Sequence, residues 1–385
     1  MRPADDGAHG ALADVLPALA AALDVPDQVD RFGLGTARAA AVVLIDGMGA
    51  DLLQRYADVA PTTAALAAGR PPLVCGFPST TATSITTLGT GLAAGEHCVT
   101  GYSIALPDDE RVLNVLRWAE QADPVYPDLR AEVVPEVQQP SPTVFERAAA
   151  NGVHVRRVMP AAHHGSGLSR AALRGEGADH AADSVHALAE EIADALRGHR
   201  RTLVYGYYGG LDLAGHLHGT GSARWLDELA LVERLVSTLL ADIPPDCVLA
   251  VVADHGMVDS DDEHRVDLET TPGLLDGVAR FSGEPRVRHV HARPGAAADV
   301  LAAWRETLGD RADVVDRDTA VAAGWYGPRV TDRARAQLGD VVAAARDRWT
   351  LVRPTAEPVD ARLIGYHGSW SPAERLIPLL VARGG

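Results

Sequence analysis

The sequence contains no lysine, so each of its 35 basic side chains is an arginine, and 52 acidic residues leave a formal net charge of −17. A charge of that sign excludes a general attraction to nucleic acid or anionic lipid, and no nucleic-acid polymer is expected as a partner. The missing lysine goes with a richness in Ala, Gly, Val and Leu; we read it as coding bias and give it no functional weight. No apolar run approaches the ~20 residues of a membrane span, and Asp5 and Asp6 stand where a secretory leader would be basic. No membrane partner and a cytoplasmic location are therefore expected. Cysteines are few: Cys75, Cys98 and Cys247 are far apart, odd in number and in no C-x-x-C pair. That excludes a disulfide framework and a thiolate zinc site, leaving three small core residues. Internal repeats and low-complexity tracts are absent as well.

What is present is an ordinary globular composition, 47% hydrophobic and 23% charged over 385 residues, which suits one large α/β domain carrying an insertion. Residues 39 to 45 form an unbroken apolar run ending at Asp46-Gly47, as a strand buried on both faces would. The pattern recurs where Leu203-Val204-Tyr205 leads to Asp212, where Val248 to Ala253 runs into Asp254-His255, and from Leu376 to Ala382. Ala182 to Leu196 and Trp225 to Leu240 carry apolar residues at three- and four-residue intervals and read as helices. The expected fold is α/β, with a mostly parallel central sheet and helices on both faces. From about Asp259 to Pro358 the pieces shorten, with a strand at Val287 to Ala292 and a helix at Ala296 to Thr307. The expected division is a core of residues 1–258 and 359–385 with a smaller α+β cap, 259–358, over the carboxyl edge of the sheet.

Ligands of such sheets bind beyond the carboxyl ends of the strands, and the chemistry-bearing residues fall there. Asp46, Asp212 with His216, Asp254-His255 and the late His367 supply three carboxylates and three imidazoles. Each alone has a bland reading, as a turn residue, a helix cap or a surface pair. Together they exceed the four ligands of a closed zinc site and suit two divalent ions, zinc or alternatively manganese, each with an open position. Two ions a few ångströms apart suit in-line displacement at phosphorus. The segment Ser79-Thr80-Thr81-Ala82-Thr83-Ser84 offers hydroxyls for a nucleophile, and a helix beginning near Thr81 would aim backbone N–H groups at a phosphate. Helix capping is the preferred reading for most of Ser79, Thr80, Thr83 and Ser84. His163 and His164 read as a solvated pair, His218 as a spare, His289 and His291 as a solvated face of a strand, and His97 as a hydrogen-bonded structural group.

The ordered motifs Asp46-Gly47, Phe77-Pro78-Ser79-Thr80-Thr81 with Thr90-Gly91-Leu92 and Gly95-Glu96-His97, Asp212-x-x-Gly215-His216, Asp254-His255-Gly256-Met257 and His367-Gly368 resemble the type I phosphodiesterase/nucleotide pyrophosphatase family of the alkaline phosphatase superfamily. The resemblance covers nearly the whole chain. It implies two zinc ions and a metal-bound threonine nucleophile that passes through a phospho-threonine. By motif, Asp46, Thr81, Asp254 and His255 resemble the ligands of one metal, and Asp212, His216 and His367 those of the other. Thr81 falls on the nucleophile, with Thr80 as runner-up. The family's Phe-Pro-Asn after the nucleophile is replaced by Ala82-Thr83-Ser84. Ser84 is then the candidate donor to substrate, and a base-stacking surface would have to come from Tyr207, Tyr208 or the cap. The expected substrate is a small phosphodiester or pyrophosphate. A monoesterase, phosphonate hydrolase or sulfatase on the same scaffold is the alternative, and a catalytically idle binding protein a second. No arginine adjoins Thr81 to clamp the extra charge of a monoester; Arg286, Arg288 and Arg293 of the cap are the candidates to reach in.

Overall fold

The computed structural model describes residues 10–107, 109–121, 125 and 127–384; Asp5 and Asp6 lie outside the described residues. At its centre the strand Ala39–Ile45 is buried at all seven positions. It lies between Thr202–Tyr208 and Cys247–Val252, both parallel to it. His154–Met159 and then Ala178–Ala181 extend the sheet in parallel on one side. On the other side Leu379–Arg383 closes it antiparallel to Cys247–Val252. The expected final strand is broken by Pro378: Leu376–Ile377 pairs separately with Leu73–Val74, because proline lacks the N–H that a continuous ladder needs.

Helices form where the apolar spacing is helical and a hydroxyl can begin them. Val185–Arg197 buries Leu188, Ala189, Ile192, Ala193, Ala195 and Leu196, and Ser184 caps it by accepting from the Ala187 N–H. Such a cap is worth about 1 kcal/mol. Ala223–Ala241 is begun in the same way by Ser222 and buries Trp225, Leu229, Val232, Leu235, Val236 and Leu239. Among the described residues no helix is long and apolar enough to cross a membrane.

Beyond Asp259 a second, antiparallel sheet runs in the order Val278–Glu284, Val287–Ala292, Val341–Ala345, Ala312–Asp316. The helix Ala297–Leu308 buries Val300, Trp304 and Leu308 in the separate apolar cluster of this lobe. Phe77 stacks on Trp370 at 4.3 Å and meets Trp325 edge-on at 5.2 Å, which joins the lobe to the segment leading into Thr81. A three-stranded sheet over Ser103–Ala105, Val112–Asn114 and Ala119–Glu120 is a further element, one that the hydropathy pattern does not foretell.

The register of the main sheet explains why distant residues meet. Ile45 pairs with Tyr208 and Leu44 with Val252, so three adjacent strands end level, and the loops carrying Asp46, Asp212 and Asp254 leave from neighbouring points. Because Leu379–Arg383 runs the other way, the chain before it, including His367, also reaches this edge. Gly47, at φ +73°, lets the Asp212 loop close in: a Cβ there would stand 3.0 Å from that of Asp212. Gly49 and Gly256 bring two of the loops together backbone to backbone, with a Cβ on Gly49 only 2.8 Å from the Gly256 Cα.

Candidate active site

The three histidines at this edge are held alike. The Nδ1–H of His216 donates to the Gly365 carbonyl at 2.8 Å, that of His255 to Gly256 at 3.1 Å and that of His367 to Ser79 at 2.9 Å. A carbonyl can only accept, so Nδ1 of each ring carries a proton, and in the neutral imidazole it is Nε2 that offers the lone pair. Those three Nε2 atoms converge. His367 Nε2 lies 3.2 Å from His216 Nε2, and the rings of His255 and His367 stack at 3.5 Å. Such an outer carbonyl is the usual partner of a metal-ligating imidazole.

The carboxylates complete the cluster. His255 Nε2 is 3.4 Å from Asp46 Oδ1 and 3.3 Å from Asp254 Oδ2; His216 Nε2 is 3.3 Å from Asp212 Oδ2. Asp46 Oδ2 accepts from the Tyr207 hydroxyl at 2.6 Å, and Asp254 Oδ1 from the N–H groups of Gly47 and His255. The remaining oxygens, Asp46 Oδ1, Asp212 Oδ1 and Asp254 Oδ2, are buried without a hydrogen-bond partner. Leaving such acceptors bare costs several kcal/mol each unless a cation meets them. Burial first, then the charges of Asp254 and Asp212, push Asp46 well above the ordinary carboxylate range, and burial also raises Asp254. Burial would raise Asp212 too, but His216, His367 and His255 outweigh it and hold it low. His216 is drawn up to about 9 because Asp212 overcomes its burial. Two sets of inward atoms are compact enough to hold an ion, Asp46 with Asp254 and His255, and Asp212 with His255 and His367. The donor set therefore fits divalent cations, and His255 stands between the two sets, while His216 borders the second through Asp212 and His367.

Thr81 begins the helix Thr81–Thr90, and its Oγ1 lies 3.1 Å from His255 Nε2. Thr80, the N-cap residue, makes no side-chain capping bond; it lines the same cavity as Glu284 of the second lobe. The first-turn N–H groups are thereby left for a ligand at the positive end of the helix. The other hydroxyls do not cap either, contrary to the expectation from residue type. Ser79 donates to the Ser369 carbonyl and accepts from the Gly368 N–H, fastening the His367 loop to the threonine segment, and Thr83 donates to Val99.

A cavity of about 500 Å³ opens on these groups, lined by Asp46, Thr80, Thr81, Asp212, His216 and His367 among others. Ser84 is not in its wall: the side chain is fully buried and its Oγ has no partner. Three residues past Thr81 turns Ser84 roughly 60° toward the interior, whereas Ile85, four past it, turns roughly 40° the other way and reaches the cavity. The solvated reading fails for His163, which lines the cavity with its ring edge-on to Tyr207 at 5.3 Å. It fails for His289 and His291 too. Both are buried, His289 accepting from the Gly339 N–H and His291 Nε2 lying 3.0 Å from Ser282 Oγ. His97 is hydrogen-bonded to Thr87 at 3.0 Å, and His218 is exposed. Tyr207 faces the cavity; Tyr208 is engaged with Glu228 instead. Arg286 and Arg288 are buried against Glu374 and Glu357, and Arg293 is exposed and outside the wall.

Tyr102, Arg117 and Glu284 also line the cavity, and no motif points to them. Glu284 is fully enclosed, and burial pushes its carboxyl up to about 8. No sequence signal marks it, since a Glu before a Pro-Arg turn is unremarkable without knowing what the turn faces. Arg117 sits in the unforeseen three-stranded sheet region, whose strands of two or three residues are too short for a period to register.

A family model described as type I phosphodiesterase/nucleotide pyrophosphatase matches residues 40–370. No curated protein matches the chain. Murine ectonucleotide pyrophosphatase/phosphodiesterase 5 is similar in structure, with a TM-score of 0.67 and 15% identity over 90% of this chain and 88% of that one. The human protein gives a TM-score of 0.67 and 15% identity over 89% and 87%. An inactive threonine-to-alanine variant of the murine protein, in complex with AMP, gives 0.66 and 15% over 88% and 87%. At this identity the likeness establishes the shared fold.

Proposed function

The chain belongs to the type I phosphodiesterase/nucleotide pyrophosphatase family, a family of phosphoric ester hydrolases, and from that membership and the site's geometry we propose that Thr81 is its nucleophile in cleaving small phosphodiesters or pyrophosphates. The observation that carries the reading is the Thr81 hydroxyl 3.1 Å from His255 Nε2, beside three carboxylate oxygens that have no partner. Asp46, Thr81, Asp254 and His255 would hold one divalent cation, and Asp212, His216 and His367 a second, with zinc the choice for this mixture of carboxylate and imidazole and manganese the alternative. Bound there, the cations would lower the pKa of the threonine hydroxyl and offset charge on the phosphoryl oxygens. We extend the proposal to the division into a core, 1–258 and 359–385, and a cap, 259–358.

The chain's own part follows from its hydrogen bonds. Ser79 fixes the threonine segment to the His367 loop, and the first-turn N–H groups can receive a phosphoryl oxygen. Thr81 Oγ1 forms a bond to phosphorus as the bond to the departing ester oxygen breaks in line; that oxygen leaves with a proton as an alcohol, or as a phosphate from a pyrophosphate. Water then cleaves the phospho-threonine and restores the hydroxyl. The test is acid-quenched turnover of an aryl phosphodiester followed by peptide mapping. Phosphate on Thr81, and a loss of about 10⁴-fold or more in kcat for Thr81→Ala with Thr80→Ala mild, is the expected result. Phosphate on Thr80, or full turnover by Thr81→Ala, sinks the assignment.

A further inference from the structure

The cavity wall beside Asp46 is apolar. Ile85, Met159, Leu168 and Leu173 stand there with the ring of Tyr207, whose hydroxyl is taken by Asp46. The two serine hydroxyls of this wall are also engaged. Ser166 Oγ accepts the Ser169 N–H as a helix cap, and Ser169 donates to the His163 carbonyl at 2.7 Å. The His163 imidazole and the Tyr205 hydroxyl remain as polar side-chain groups to face a ligand there. A nucleobase carries several ring-edge donors and acceptors, and burying them against this wall would leave most of them unpaired. The polar groups Arg117, Glu284 and Asp360 line the cavity from the small sheet region, the second lobe and the segment that follows that lobe.

The apolar wall also lies on the nucleophile's side. Ile85 is one turn along the helix that Thr81 begins, and an in-line leaving group departs away from the attacking oxygen. A group against this wall is therefore one that stays on phosphorus. We propose that the retained ester group of the substrate is apolar, an alkyl chain or a plain aromatic ring, seated against Ile85, Met159, Leu168, Leu173 and Tyr207, and is not a nucleoside. This rests on the phosphodiesterase reading above.

The experiment measures kcat/KM of the metal-loaded full chain on 4-nitrophenyl phosphodiesters whose second ester group is methyl, butyl, hexyl, phenyl or 5′-thymidyl. The leaving group is constant, so only the retained group varies. We expect a rise of about fourfold per added methylene while the chain is still being buried, phenyl above methyl by tenfold or more, and thymidyl below phenyl. A flat series, or thymidyl fastest, overturns the proposal. Turnover of none of the esters, methyl included, would instead overturn the reading of function. Ile85→Ala should lower the phenyl-to-methyl ratio about tenfold, and that ratio does not depend on how much of the variant folds. An unchanged ratio removes Ile85 from the seat, and if the variant yields no folded protein the wild-type series alone decides.

Discussion

Buried histidines and carboxylates occur in two regions of this molecule and are used in opposite ways. At the sheet edge His216, His255 and His367 donate from Nδ1 to carbonyls and turn Nε2 toward the cleft, beside carboxylate oxygens without partners. In the second lobe His291 spends Nε2 on Ser282, and His289 accepts the Gly339 N–H at Nδ1, which leaves at its unpartnered Nε2 a proton rather than a lone pair. The lobe's buried arginines are paired as well: Arg286 donates to both oxygens of Glu374, in the returning core segment, at 2.9 and 2.8 Å, and Arg288 to both of Glu357 at 3.1 and 2.6 Å. Burial alone therefore says little about function. What separates a ligand from a strut is whether the inward atoms are lone pairs left open together, as at the sheet edge, or a lone donor and atoms already paired.

The largest test of that contrast pairs His367→Ala with His291→Ala. The first should lower kcat/KM by about 10³-fold or more while leaving thermal unfolding nearly in place. The second should keep activity and lose about 1–3 kcal/mol of stability, because Ser282 is left without its partner. Denaturation curves and steady-state rates on both variants check this. Equal effects of the two on activity would erase the distinction.

Next in size is Arg286→Met. Glu374 also accepts from the Ser369 N–H and the Ser371 hydroxyl, yet losing the guanidinium leaves a buried carboxylate without its counter-charge. The expected loss is about 3–5 kcal/mol by urea denaturation. Replacing both partners, Arg286→Met with Glu374→Leu, should recover part of it, since the desolvated charge is then absent. A single variant as stable as wild type would mean that the pair is not buried as described.

Smaller still is a pH effect from the neutral histidines. Burial lowers His97, His289 and His291 to about 3. Their folded pKa lies below the unfolded value of about 6.5, so the unfolded chain takes up protons first as pH falls. The associated stability is complete above pH 6.5 and drains away between 6.5 and 3, each such group steepening the fall by up to about 1.4 kcal/mol per pH unit. Removing one group, as His289→Gln, should make the slope shallower by about that amount between pH 6 and 4. An unchanged slope would mean that His289 is protonated, or free to be, in the folded protein.

The parts of this fold that the sequence made legible are those where one physical pattern dominates. Ala39–Ile45 reads as a buried strand because both faces are apolar, and Asp46, Asp212 and Asp254 read as neighbours because parallel strands end together. The helix at Thr81 was legible for its start, but not for the direction Ser84 takes, since a 100° step decides between cavity and interior. His289 and His291 alternate as exposed residues would, and their burial depends on the packing of the second lobe, which no local spacing encodes. Arg117 reaches the cavity from the turn between two strands too short to carry a period. Residues supplied by long-range packing were thus the ones missed.

The smallest expected effect concerns Arg117, and it bears on which phosphoester is preferred. A monoester brings one more negative charge than a diester, and a dedicated cation is the usual means of stabilising it. Two of the cap arginines are already engaged, since Arg286 and Arg288 face carboxylates at 2.8 and 2.6 Å. Arg117 is the one arginine in the cavity wall among the described residues, and it is exposed, next to the equally exposed Leu116. A charge in contact with water acts through a high effective dielectric and is screened within ~8 Å at physiological salt, so it contributes on the order of 0.2–1 kcal/mol. Diester turnover should therefore exceed monoester turnover on matched 4-nitrophenyl substrates, and Arg117→Ala should lower monoester kcat/KM by only about threefold, less at higher ionic strength. Should Arg117→Ala cost the monoester a hundredfold or more and spare the diester, Arg117 would be a phosphate clamp and the preference for diesters would be wrong.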